Sequence, residues 1–222
     1  MYNQRLYARV IFRKTGLLRF LGHLDVHRSF DRAIRRAKLP VEYSHGFSPH
    51  SLISFAMPLP VGVAGENELC AIDITGQWDP MAIYKALSRQ LPAELGIVGV
   101  QVLARPKRSP FADLQLADYR AEICNIEPEK LQEAIEVLLQ QDELIIHRQT
   151  KSKELDLNLR PRIYGLQVRN SNVLMRLGLT TEDLAKPDEV LWLLRQQLGE
   201  ELQVRCLTRT AFWDLGQTPA EL

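Results

Sequence analysis

Between Arg5 and Leu103 the hydrophobic period changes from two residues to about 3.6 and back, in an order that few chain topologies accommodate. Residues 5–13, RLYARVIFR, set Leu6, Tyr7, Val10 and Phe12 among basic or small residues and read as a half-buried strand, with a turn at Lys14-Thr15-Gly16. From Leu17 or Phe20 to Ala37 the apolar positions Val26, Phe30, Ala33, Ile34 and Ala37 share one face of a helix. Arg28, Arg32, Arg35 and Arg36 fall mostly on another, and Lys38-Leu39-Pro40 ends it. The run LISFAM (52–57) reads as a strand stopped by Pro58 and Pro60, and ELCAIDIT (68–75) as the next, closed by Gly76. Asp79-Pro80 opens a second helix in cap-then-proline order, with Ile83, Leu87 and Leu91 on one side. The apolar run LGIVGVQVL (95–103) follows as a strand. Strand, helix, strand, strand, helix, strand is the split βαβ, or ferredoxin-like, order.

Residues 104–117, ARPKRSPFADLQLA, hold two prolines and three basic residues and read as a linker. The order then begins again: a strand over 119–125, a helix over 128–141, a strand over 144–149 and a polar break at Lys151-Ser152-Lys153. Strands over 162–168 and 173–179, a helix over 187–198 and a strand over 203–210 complete it. At 222 residues the chain is long enough for two cores. The expected fold is therefore α+β, two tandem ferredoxin-like domains with antiparallel sheets, residues 1–104 and 117–222.

The overall charge of +1 conceals an asymmetry. Residues 1–60 hold ten Lys or Arg against three acids, a surplus of seven, and the rest of the chain carries a deficit of six. A polyanion-binding face on the first domain produces this division, as does a solvated basic helix face. No apolar run reaches the roughly 18 residues of a membrane span, and the N-terminal stretch lacks a signal-peptide core, so a cytoplasmic protein is expected. Cys70, Cys124 and Cys206 are widely separated and form no CxxC, which fits small core side chains in a reducing compartment.

The stretch with the densest chemistry is Tyr43–Val63, YSHGFSPHSLISFAMPLPVGV. Gly46 and Pro49 make residues 44–51 a structured loop rather than a helix, and the strand behind it would hold that loop on a rigid element. His45 and His50 titrate near neutrality and suit proton transfer at a scissile phosphate, while Tyr43 and Phe47 suit stacking on nucleobases. Each imidazole is equally open to a plain loop role, satisfied by backbone. His23 and His27 lie four apart on one helix face, but HLDVH lacks the acid of HExxH, and no metal is expected. Phosphate-loop, dinucleotide-binding and nucleophile-elbow motifs are all absent, which points away from self-sufficient catalysis and from a bound cofactor.

Residues 14–63, KTGLLRFLGHLDVHRSFDRAIRRAKLPVEYSHGFSPHSLISFAMPLPVGV, closely resemble the opening of the bacterial radical-SAM-associated proteins, a domain of unknown function. ELDLNLRPRIYGLQV is similar to a weaker segment of the same family, so the resemblance covers most of the chain. Departures are Gly22 for the usual Ser, Ser48 for Asn, and Ser51-Leu52 where Pro-Arg is common; the last removes a basic residue beside His50. The resemblance implies a domain encoded beside, or fused to, a radical-SAM protein, often among translation and RNA-processing genes. It implies no known activity. Because the chain has no CxxxCxxC, any radical chemistry would be the partner's.

These readings lead us to expect an RNA-binding accessory protein working with a radical-SAM enzyme in RNA modification or processing. Arg19, Arg28, Arg32, Arg35 and Arg36 would contact phosphates, and Tyr43, His45, Phe47 and His50 a base or the reacting nucleotide. Two alternatives stay open: a metal-independent ribonuclease using His45 and His50 as proton donor and acceptor, and an interaction module that docks on the radical-SAM partner without nucleic acid.

Overall fold

The computed structural model describes residues 5–149 and 154–214. The polar break expected at Lys151-Ser152-Lys153 lies outside the described residues. The chain is α+β, with four α-helices among the described residues and strands that pair antiparallel. It divides into two compact units, Met1–Asp113 and Leu114–Leu222.

In the first unit the elements run β1 (Leu6–Lys14), α1 (His23–Ala37), β2 (Ile53–Phe55), β3 (Ala64–Ile74), α2 (Pro80–Ser88) and β4 (Ile97–Ala104). Strand β1 pairs with β3 on one side and β4 on the other, and β2 pairs with β3. Alternation along β1 places Ala8, Val10 and Phe12 in the core against Val26, Phe30 and Ile34 of α1, while Arg9 points to the other face. Helix α2 adds Ile83 and Leu87, and Asp79 caps it as its position before Pro80 suggests, accepting from Met81 N–H at 3.1 Å. The helix expected from Leu17 or Phe20 begins later, at His23, because Gly16–Phe20 winds a separate 3₁₀ turn. Lys14, 2% exposed, holds that turn by donating Nζ to the carbonyls of Arg19 (3.1 Å) and Leu21 (3.2 Å).

In the second unit β5 (Leu114–Ile123), α3 (Pro128–Leu139), β6 (Ile145–Gln149), β7 (Glu154–Asn158), β8 (Ile163–Arg169), β9 (Asn172–Gly178), α4 (Pro187–Leu198) and β10 (Val204–Asp214) follow. Strand β5 lies between β9 and β10, and β8 pairs with β9. The strand expected over 144–149 does not join that sheet. It pairs with β7, which the sequence did not show, in a separate hairpin. The expected linker 104–117 is also shorter than its composition suggests, since β4 reaches Ala104 and β5 begins at Leu114.

The three cysteines are free thiols in different settings. Burial pushes the Cys70 thiol well above its ordinary value, as a core side chain should behave, whereas Cys206 is half-buried and Cys124 is exposed. No helix among the described residues is long and apolar enough to cross a membrane.

Candidate functional site

Four residues of α1 at four-residue spacing, His23, His27, Asp31 and Arg35, form one stripe that reaches the segment from Tyr43 to Phe55. The contacts run antiparallel to that segment. Arg35 donates to the Pro49 carbonyl at 2.7 Å, and its guanidinium lies over the Tyr43 ring at 5.5 Å. Asp31 Oδ1 accepts from both the backbone N–H (3.1 Å) and the hydroxyl (2.8 Å) of fully buried Ser51, while Oδ2 accepts from Arg35 Nε at 2.8 Å. The rings of His23 and His27 sit 5.3 and 6.0 Å from that of Phe55, which also packs edge-on against Phe12 and Phe30.

Electrostatics follow from this stripe. Burial alone raises the Asp31 carboxyl, but the two hydrogen bonds from Ser51 and the bond and charge of Arg35 bring it below the ordinary carboxylate value. Partial burial holds His27 below the usual imidazole value; Asp31 opposes this, and neighbouring His23 and His50 add to it. Three imidazoles therefore share one neighbourhood, and Asp31 beside them already has both oxygens occupied. No group of three or more His, Cys, Asp or Glu is placed to hold a metal among the described residues.

The loop closes on itself above the stripe. Ser44 N–H donates to the His50 carbonyl (2.9 Å), and Ser44 Oγ accepts the His50 N–H (3.1 Å) and contacts Nδ1 of its ring at 2.9 Å. Gly46 at φ +134°, a conformation that side chains resist, turns the tip. His45, Phe47, Ser48 and Pro49 are exposed, and Phe47 projects its whole ring into solvent, 109% exposed. Below the loop, Glu42 N–H donates to the Asp73 carbonyl (2.9 Å) and Asp73 N–H to that of Leu52 (3.1 Å), so both legs are tied to β3.

The expected phosphate contacts divide accordingly. Arg35 is a structural tie between helix and loop. Arg36 is engaged by Gln90 (2.8 and 3.1 Å), and Arg19 sits on the 3₁₀ turn with its guanidinium over Phe20. Among the described residues Arg28 makes only an exposed 3.4 Å contact with Asp25, worth little in water, and exposed Arg32 makes no ion pair. Sequence reasoning missed Asp31, Ser51 and Phe55, although the four-residue recurrence His23, His27, Asp31, Arg35 was a signal for a stripe with a partner.

A family model described as an uncharacterized protein conserved in bacteria (DUF2344) matches residues 7–205. The chain belongs to this family. The DUF2344 match takes in the helix, the loop and most of the second unit. Among solved structures the chain is similar to the crystal structure of an unknown protein from Galdieria sulphuraria, at 14% identity and a TM-score of 0.26, covering 90% of this chain and 96% of that one. No curated protein matches it.

Proposed function

We propose that this DUF2344 protein is an RNA-binding accessory subunit, built of two ferredoxin-like domains, that presents RNA to a radical-SAM enzyme for modification or processing. The observation that carries the reading is Phe47. A fully exposed aromatic ring is unfavourable in water, yet here the loop beneath it is clamped by Ser44, Asp31 and Arg35. A clamped loop that holds a bare ring outward next to His45, tied to a helix that also carries exposed Arg28 and Arg32, has the parts of a single-strand binding platform. Strand pairing supports the two-domain reading, since β4-β1-β3-β2 and β10-β5-β9-β8 follow one order. The radical-SAM partner rests on the resemblance of residues 14–63.

Each phosphate neutralised on a single strand contributes about 0.7 to the slope of log K against log salt. Replacing Arg28 and Arg32 with Ala is expected to lower that slope by about 1.4 for a single-stranded oligoribonucleotide. Unchanged affinity and slope in the double variant, or no binding by the parent protein at low salt, overturns the proposal. Cleavage of the oligonucleotide in EDTA, abolished in His45→Ala and His50→Ala, would replace it with the ribonuclease alternative.

A further inference from the structure

The segment after β4 is not a bare connection. Arg105 N–H donates to the Arg5 carbonyl at 2.8 Å, Arg9 reaches the Pro110 carbonyl at 3.4 Å, and Arg108 grips Asp113 through two hydrogen bonds of 2.6 and 2.9 Å. Phe111, 8% exposed, pins the segment down. Folded this way, residues 105–109 enclose with Arg5 and Asp73 a surface pocket of about 510 Å³. Four of its seven lining residues are cationic, and they come from opposite ends of the first unit's sequence.

The charges inside the pocket are unevenly answered. Arg105 lies 3.2 Å from Asp73, and Arg108 is answered by Asp113. Among the described residues the side chains of Arg5 and Lys107 make no hydrogen bond and no close ion pair, although Arg5 acts on Asp73 at longer range. Burial pushes the Asp73 carboxyl above its ordinary value; Arg105 opposes this, Glu42 reinforces it and Arg5 opposes it. The pocket thus presents Arg5 and Lys107 without a close acid, beside Arg105, which is held on Asp73, and Arg108, which bonds Asp113 at the surface.

Its position relates it to the loop. The registers Leu6↔Ile74, Leu6↔Ala104 and Ile53↔Ile72 put the start of β1, the end of β3, the end of β4 and the start of β2 at one end of the sheet. Asp73, whose side chain lines the pocket, is the residue whose backbone holds both legs of the His45–His50 loop. Pocket and loop therefore share Asp73 at one end of the sheet, the pocket on the face opposite α1.

We propose that Arg5, Arg105, Lys107 and Arg108 form a second anion site that takes a phosphate group, and that on the RNA reading above, on which the choice of ligand rests, the phosphate belongs to the strand whose base stacks on Phe47. Arg105, half-buried against Asp73, orients the oxygens, and Arg5, Lys107 and exposed Arg108 supply further charge. Arg5 and Lys107 are both exposed, so Arg5→Ala/Lys107→Ala leaves the fold intact.

Two measurements on the full chain test this: anisotropy of a labelled single-stranded oligoribonucleotide across salt concentrations, and calorimetric titration with inorganic pyrophosphate. The expected result is that the double variant lowers the RNA salt slope by about 1.4 while Phe47→Ala does not change it. Should the parent bind no RNA but take pyrophosphate, with the heat lost in the double variant, the phosphate site stands with a free phosphate compound as its source and the RNA reading falls. If RNA binds with the same slope in parent and double variant and pyrophosphate gives no heat, the second site is overturned and the RNA reading stands. Absence of both bindings overturns both.

Discussion

Replacing Asp31 with Ala removes three acceptor contacts at once: the Ser51 N–H, the Ser51 hydroxyl and Arg35 Nε. Ser51 is 0% exposed, so its amide and hydroxyl lose their partner where water does not readily replace it. A buried group left unsatisfied costs about 1–3 kcal/mol, and the exposed Arg35 contact adds a few tenths at most. Allowing for partial relaxation, the loop should be destabilised by about 2–4 kcal/mol, a roughly 30- to 1000-fold increase in its opening equilibrium. Hydrogen exchange of a peptide spanning residues 43–52 reads this directly, because amide exchange there reports local opening. Asp31→Asn keeps an acceptor for Ser51 and should show a smaller increase. Since the carboxyl is held below its ordinary value, its contribution is present above about pH 4 and is lost as pH falls through its depressed value. The parent loop should therefore exchange faster, after correction for intrinsic rates, only at acid pH, and Asp31→Ala should lack this step. Exchange in Asp31→Ala within a factor of about three of the parent would refute the claim that α1 holds the loop.

Phe47→Ala should leave stability within about 0.5 kcal/mol, as the ring packs on nothing, while weakening RNA binding by about 1–3 kcal/mol; equal affinity in an anisotropy titration would remove the stacking role. In the second unit Arg176 donates twice to buried Asp118 at 2.8 Å, and Trp213 Nε1–H donates to the same carboxylate at 2.7 Å. Arg176→Ala should cost about 3–5 kcal/mol in urea unfolding followed by tryptophan emission, and a loss below about 1 kcal/mol would contradict a paired, buried charge. His27 binds its proton less readily folded than unfolded, so its contribution to stability is present above about pH 6.5 and is lost as pH falls from there through its depressed folded-state value. An NMR titration should place its midpoint below 6.5, and His27→Gln should flatten the acid side of the stability profile.

Elements whose pattern is local were legible in the sequence. Helix α4 was expected over 187–198 and spans Pro187–Leu198, because proline opens it and Gly199, at φ +69°, closes it. The strand expected over 144–149 exists as β6, but its partner does not follow from its own alternation. With β7 unrecognised, nothing in the pattern separates a hairpin from a strand of the main sheet. At the site, glycine and proline revealed the loop and composition revealed the basic helix. What Arg35 does was hidden, because an arginine on a helix looks alike whether it faces solvent or a carbonyl fourteen residues away. The pocket around Lys107 was hidden for a similar reason, since ARPKRSP reads as a linker until Phe111 and Arg9 fold it against the sheet.

The central claim, that this face of the first unit holds RNA, is tested most directly by ultraviolet crosslinking of the full chain in cells, with the crosslinked peptides mapped. Crosslinks are predicted within residues 28–50, centred on Phe47, and lost in Phe47→Ala. Crosslinks confined to the second unit, or none at all while a protein partner is recovered after ribonuclease treatment, would contradict the account and leave the interaction-module reading in its place.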